Sequence, residues 1–206
     1  MQRIRIRFGK HGAARFTSHL DLAQAWARWL RRARIPMAHS QGFNPQPRLN
    51  LAAALPLGFT SEAELADLWL EEPMAPTEIA GQLAQTAPPG LVVYDVVEVD
   101  LAEKSLQSRL TAVEYRVTGP LPADLAERIA SLLAADSLPR ERRGKTYDLR
   151  PLVERLWPES DNEVLGMRLV AQPSATGRPD ELLLALGLDP LGALIHRTRL
   201  ILNDDA

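Results

Sequence analysis

The sequence predicts an α+β protein built of two tandem ferredoxin-like modules, each running β-α-β-β-α-β. Three observations carry that expectation. Stretches with period-two alternation are interleaved with stretches whose apolar residues recur at helical spacing. The succession is met once in residues 1–100 and again in residues 111–206. Of the 206 residues, 46% are hydrophobic, enough to bury a sizeable core over a length that suits two small domains.

Residues 3–8, RIRIRF, alternate strictly. Ile4, Ile6 and Phe8 point to one side, and Arg3, Arg5 and Arg7 are expected to share an open face. GKHGAA (9–14) reads as a loop without dinucleotide or P-loop spacing. Ser18 and Asp21 form a capping box that starts a helix, which runs to about Arg34 and stops before Pro36. Leu22, Trp26, Trp29, Leu30 and Ala33 make its apolar stripe, which assigns the tryptophans to a core. Arg28, Arg31, Arg32 and Arg34 lie towards the other side. Residues 40–47, SQGFNPQP, form a turn that Gly42, Pro45 and Pro47 shape and stiffen. Residues 48–55 and 62–71 read as strands, 76–87 as a short amphipathic helix and 91–99 as a valine-rich strand. Residues 100–110 look like a linker. The second pass brings a strand at 112–118, a helix at 122–135 with Pro122 near its first turn, and a short basic strand and turn at 139–150. One helical turn is expected at 151–157, a strand at 163–171, a helix at 179–188 and a last strand at 194–202.

The overall charge of −2 conceals an asymmetry. Residues 1–58 hold ten Lys/Arg and one acid, Asp21, an excess of nine positive charges, so the remainder carries −11. The first third should therefore attract polyanions and the rest repel them. The chain has no cysteine, which excludes disulfides, a thiol nucleophile and Cys-ligated zinc or iron–sulfur centres, and suits a reducing compartment. No apolar run is long enough for a membrane span, and the basic N-terminus lacks the apolar core of a signal peptide. A soluble cytoplasmic protein is the expectation.

Two clusters suit nucleic acid. In the first, Arg15, His19 and the helix arginines stand with Gln41, Phe43, Asn44, Gln46 and Arg48. Amide side chains suit base edges and an aromatic ring suits base faces. A tight loop before a strand is the plainer alternative for 40–47, and a charged edge strand for Arg3, Arg5 and Arg7. The second cluster holds Arg142, Arg143, Lys145, Tyr147 and Arg150 in an otherwise acidic region. Arginine beside an aromatic ring suits phosphate contact and stacking, and a charged hairpin tip is the alternative. His19, Asp21 and His39 invite a metal or acid–base reading. Yet His19 and Asp21 lie about 200° apart around a helix, and Asp21 is already explained by capping. No catalytic residue, metal or cofactor is therefore assigned.

The first of these stretches resembles the radical-SAM-linked family, a domain of unknown function found alone or fused behind a B12-binding-type radical SAM protein. The shared residues are Arg15-Phe16, Ser18-His19-Leu20-Asp21-Leu22, Arg31-Arg32-Ala33, Pro36, Gln41-Gly42-Phe43-Asn44-Pro45 and Pro47. Pro56-Leu57-Gly58, Ser61, Glu64, Gly144-Lys145 and Asp148-Leu149-Arg150 extend the likeness over almost the whole chain. The sequence departs from the family at Gln46, where a histidine is usual, and at Gln24, where an arginine is. The resemblance implies a radical SAM protein as partner and a neighbourhood of RNA metabolism. This chain, without cysteine, does not hold the cluster itself. The expected function is an RNA-binding accessory protein presenting structured RNA (tRNA or rRNA) to a radical SAM or other RNA-modifying enzyme. An RNA-processing enzyme using His19 and the 40–47 loop, and a protein adaptor without nucleic acid, are the alternatives.

Overall fold

Strand β1 (Gln2–Lys10) buries Ile4, Ile6 and Phe8 completely, as its alternation requires. The computed structural model to which it belongs describes residues 1–142, 144–159 and 163–203. Among these the protein is mixed α/β, with mostly antiparallel strands and five α-helices. Contacts divide the chain between Arg109 and Leu110 into two units.

In the first unit, β1 leads through a 3-10 turn (Gly12–Phe16) to helix α1 (His19–Arg32). Strands β2 (Leu49–Leu51) and β3 (Thr60–Leu70), helix α2 (Pro76–Gln85) and strand β4 (Leu91–Val99) follow. The strands lie in the order β2-β3-β1-β4, and each neighbouring pair is antiparallel. Leu22, Trp26, Trp29 and Leu30 of α1 pack on the face of β1 that carries Ile4, Ile6 and Phe8. The Phe8 ring meets Trp26 edge-on at 4.9 Å, and the Trp29 indole donates to the Leu83 carbonyl of α2 at 3.2 Å. Both tryptophans are therefore core residues.

The ends of α1 follow from local chemistry. The Ser18 hydroxyl accepts from the Asp21 amide at 3.1 Å and donates to the Asp21 carboxylate at 2.7 Å. This satisfies an amide that the helix leaves without a partner. At the other end Arg34 has φ of 58°, and the Ile35 amide returns to the Leu30 carbonyl at 3.0 Å. Glycine is the usual occupant of that left-handed position because a Cβ there is crowded. Arg34→Gly is thus expected to raise stability by about 0.5–1 kcal/mol. Chemical denaturation checks it, and an unchanged or lowered midpoint would contradict the account.

Residues 100–110 are not a plain linker. Helix α3 (Leu106–Arg109) closes the first unit, with Leu106 fully buried. The carbonyls of Asp100, Glu103 and Lys104 all accept from the Arg3 guanidinium.

The second unit holds β5 (Leu110–Thr118), α4 (Leu125–Ala134), the hairpin β6 (Pro139–Arg142) and β7 (Lys145–Asp148), β8 (Val153–Glu159) and β9 (Val164–Gln172). The short β10 (Ala175–Thr176), α5 (Pro179–Ala185) and β11 (Leu194–Leu202) complete it. The order β8-β9-β5-β11 is again antiparallel throughout, while β6 and β7, among the described residues, pair only with each other. Helix α4 starts at Leu125 behind Asp124, so Pro122 falls outside it.

The helical turn expected at 151–157 is a further correction. A 3-10 turn occupies Arg150–Leu152, and β8 begins at Val153. Val153 and Leu156 turn inward, and Pro158 is tolerated because β8 pairs on one side only, with β9. Trp157 faces Gly166 across the ladder, and a Cβ at Gly166 would come within 2.1 Å of the indole. The ring needs that missing side chain, and only the cross-strand register reveals it.

Candidate functional site

The open arginine face expected on β1 is mostly closed. Arg3 is 2% exposed and Asp67 of β3 is fully buried. The Arg3 Nη2 donates to Asp67 at 2.6 Å. Arg5 donates to the same carboxylate at 2.8 and 3.0 Å and to Glu103 at 2.9 Å. Glu103 also pairs with Arg109. Arg3 makes five such bonds, to buried carboxylate and carbonyl oxygens, and has nothing left for phosphate, while Arg5 commits three of its donors to carboxylates. Arg7 alone remains exposed, with its guanidinium 4.9 Å over the Tyr94 ring of β4. Lys10, counted in the basic third, is likewise buried, and its ammonium donates to the Thr17 carbonyl at 2.7 Å.

The sheet separates what the sequence grouped together. Helix α1 covers the Ile4/Ile6/Phe8 face, so alternation turns Arg7 to the opposite side of the sheet. One flat surface therefore does not take both Arg7 and the exposed Arg28 and Arg31 of α1. Arg32 is also exposed, and it donates to the Thr86 carbonyl at the end of α2. At the other end of α1, His19 is exposed, and the Arg15 guanidinium lies 4.7 Å over the Phe16 ring. Phe16, Leu20 and Leu57 are exposed at 63, 75 and 61%. The Gly58 amide ties this end to the Arg15 carbonyl at 2.9 Å.

The loop leaves from the far end of α1. Ala38 donates to the Trp69 carbonyl at 2.7 Å and Trp69 to the Arg48 carbonyl at 3.1 Å, which fastens both sides of its base to the end of β3, and Arg48 donates to Ala38 at 2.8 Å. His39 bridges Pro47. Above that, the Ser40 amide donates to the Gln46 carbonyl at 2.8 Å, and the Gln46 amide to the Ser40 hydroxyl at 3.0 Å. The loop is thus closed at its base. Gln41, Phe43, Asn44 and Gln46 are all exposed, with the Phe43 ring wholly free at 112%. Gln46 donates to the Asn44 side chain at 3.1 Å, which preorients the two amides. Gly42 has φ of 136°, a conformation that other residues resist. Arg48 is half-buried, with its guanidinium 5.0 Å over Trp69.

Because α1 has 14 residues, its two ends stand roughly 20 Å apart. His19 starts α1 beside Gly58, whereas the loop base follows its end and meets Trp69 late in β3, so the two lie towards opposite ends of the unit. No group of three or more His, Cys, Asp or Glu among the described residues is placed to hold a metal ion.

In the second unit, Arg142 and Lys145 face each other at the exposed end of the β6–β7 hairpin, and Arg143 lies outside the described residues. Arg150 does not join them. Its guanidinium donates to the Leu133 and Val153 carbonyls, a structural task. Tyr147 is half-buried beside Arg178, a residue the sequence did not single out.

Sequence reasoning also missed a pair between His11, just past β1, and Tyr94 of β4. The His11 Nε2 lies 2.7 Å from the Tyr94 hydroxyl. A Cβ at Gly9 would stand 2.4 Å from that nitrogen and 2.5 Å from that hydroxyl, so the pair closes over the bare glycine. Burial, then the Glu62 carboxylate, raises the Tyr94 phenol above its ordinary pKa, while Arg7 opposes them. The GKHG spacing is the only sequence signal for it.

No helix among the described residues is long and apolar enough to cross a membrane. The family described as "Uncharacterized protein conserved in bacteria (DUF2344)" matches residues 3–179. No curated protein matches the chain.

Proposed function

Since this chain belongs to the family of uncharacterized proteins conserved in bacteria (DUF2344), we propose its function from its own surface: it binds structured RNA, tRNA or rRNA, at the loop end of the first unit. It then presents that RNA to a partner enzyme, which the sequence resemblance makes a radical SAM protein. The single observation behind this reading is the closed, fully exposed loop that carries Phe43 and the amides of Gln41, Asn44 and Gln46. A loop fastened at its base loses little entropy when it engages a ligand. A free ring offers a stacking platform, and the amides offer both donors and acceptors. Arg28, Arg31, Arg34 and Arg48 supply the cations on this side of the unit.

Each unit, on the same reading, is a ferredoxin-like module. The orders β2-β3-β1-β4 and β8-β9-β5-β11 are what a split β-α-β plan yields. The hairpin β6–β7 is then an insertion ahead of the second strand.

Four phosphate contacts are expected to give a log–log salt slope of about −3 for RNA affinity. Fluorescence anisotropy with labelled tRNA and an rRNA fragment, titrated across salt, measures it. A flat response, or no binding at low salt, rejects the RNA reading. That outcome favours the protein adaptor, which the exposed Phe16, Leu20 and Leu57 support.

A further inference from the structure

The second unit contains a concavity between the β6–β7 hairpin and the stretch from Ser174 to Arg178. Arg142, Lys145, Tyr147, Ser174 and Arg178 line it. The Tyr147 hydroxyl is buried there without a hydrogen-bond partner among the described residues. A buried hydroxyl left unpaired is costly, so its persistence points to a group that the pocket receives. Arg142 and Lys145 make no ion pair among the described residues, and both are exposed to an incoming anion.

The remaining groups fix the sign and shape of that ligand. Arg178 is held by Asp180 through contacts of 3.0 and 2.5 Å, which neutralise it but orient its fork. Asp148 also lines the pocket, and its Oδ1 is occupied by the Leu138 amide at 2.7 Å and the Arg150 amide at 2.9 Å. Thr176 donates to the Gln172 carbonyl, so its proton is already used. Burial, then Glu181, raises the Tyr147 pKa above its ordinary value against the pull of Arg178 and Arg142, so the phenol is a donor at neutral pH. The pocket thus presents a phenol, an ammonium and a guanidinium as donors, beside the one carboxylate of Asp148. A phosphodiester carries one charge and two free oxygens, whereas a phosphomonoester dianion carries two charges and three.

We propose that this pocket binds a phosphomonoester group, with the Tyr147 hydroxyl donating to one terminal oxygen and Arg142 and Lys145 neutralising the dianion. The proposal does not rest on the RNA reading, since it concerns a different unit and asks only for the phosphate. The phosphate could end an RNA chain or belong to a small nucleotide.

Isothermal titration of the full chain at constant ionic strength tests it, with inorganic phosphate, AMP, and one RNA oligonucleotide in 5′-phosphorylated and 5′-hydroxyl forms. Saturable phosphate binding is expected at a pH where phosphate is a dianion. Tyr147→Phe should weaken it about tenfold or more. The same variant should melt no lower than the parent without ligand, because it removes an unpaired hydroxyl. Lys145→Gln and Arg142→Gln, on exposed positions that do not threaten folding, should each weaken it severalfold. AMP binding as tightly as the phosphorylated oligonucleotide identifies a small nucleotide as the source. Preference for the phosphorylated over the hydroxyl oligonucleotide, with weak AMP, identifies an RNA end. Both support the proposal. Absence of saturable binding, or unaltered binding by Tyr147→Phe and Lys145→Gln, overturns it.

Discussion

Asp67→Ala is expected to destabilise the first unit by about 3–5 kcal/mol, the cost of leaving buried charge unpaired. Asp67 is fully buried; its Oδ2 accepts from both Arg3 and Arg5, and its Oδ1 from Arg5. Removing it strands the Arg3 guanidinium, 2% exposed, with carbonyl oxygens and the Trp69 ring but no countercharge. Those carbonyls belong to residues 100–104, so that segment should loosen as well. Chemical denaturation followed by tryptophan fluorescence reads the loss, since Trp26 and Trp29 sit in the same unit. A loss under about 1 kcal/mol, the value of an exposed pair, would sink the account. Replacing the pair together, Arg3→Met with Asp67→Leu, should recover most of the stability, because two apolar side chains leave no charge behind. The contrast between the single and double variants separates stranded charge from lost packing.

The second large effect concerns binding rather than folding. Phe43→Ala is expected to weaken RNA binding by about 1–3 kcal/mol, the worth of one base–aromatic stack. That corresponds to roughly 5- to 150-fold in Kd. The melting temperature should not move, because the Phe43 ring is exposed at 112% and touches no core. Phe43→Tyr, which keeps a stacking face, should retain most of the affinity. Anisotropy titrations and thermal melts on the same preparations decide the matter. Equal affinity for the parent and Phe43→Ala would remove the loop from the RNA site, whatever the salt slope shows.

Much of the fold was legible because local rules and tertiary packing agree. RIRIRF named a strand and its buried face, and Ile4, Ile6 and Phe8 are all fully buried. Ser18 and Asp21 marked the start of α1, and the apolar stripe from Leu22 to Ala33 marked its core face. The strands at 91–99 and 194–202 were readable to the residue, because β-branched residues recur along both of them. The strand at 153–159 was not. Its Pro158 and two charges at Glu154 and Arg155 disguise it, and its justification, Trp157 lying on Gly166, exists only after β8 and β9 are paired.

The candidate site divides along the same line. By itself, the sequence determined which residues carry charge, aromatic faces and turn chemistry, and it placed Gln41, Phe43 and Asn44 in an exposed turn. Those properties belong to single residues or to neighbours along the chain. Only the tertiary structure decided which of the cations are free. Whether Arg3 meets phosphate or a carboxylate depends on Asp67, 64 positions away, and on the carbonyls of residues that look like a linker. Whether His19 stands beside the loop depends on α1 holding the two apart. Charge is a property of composition, but its availability is set by partners that the chain brings together only when it folds.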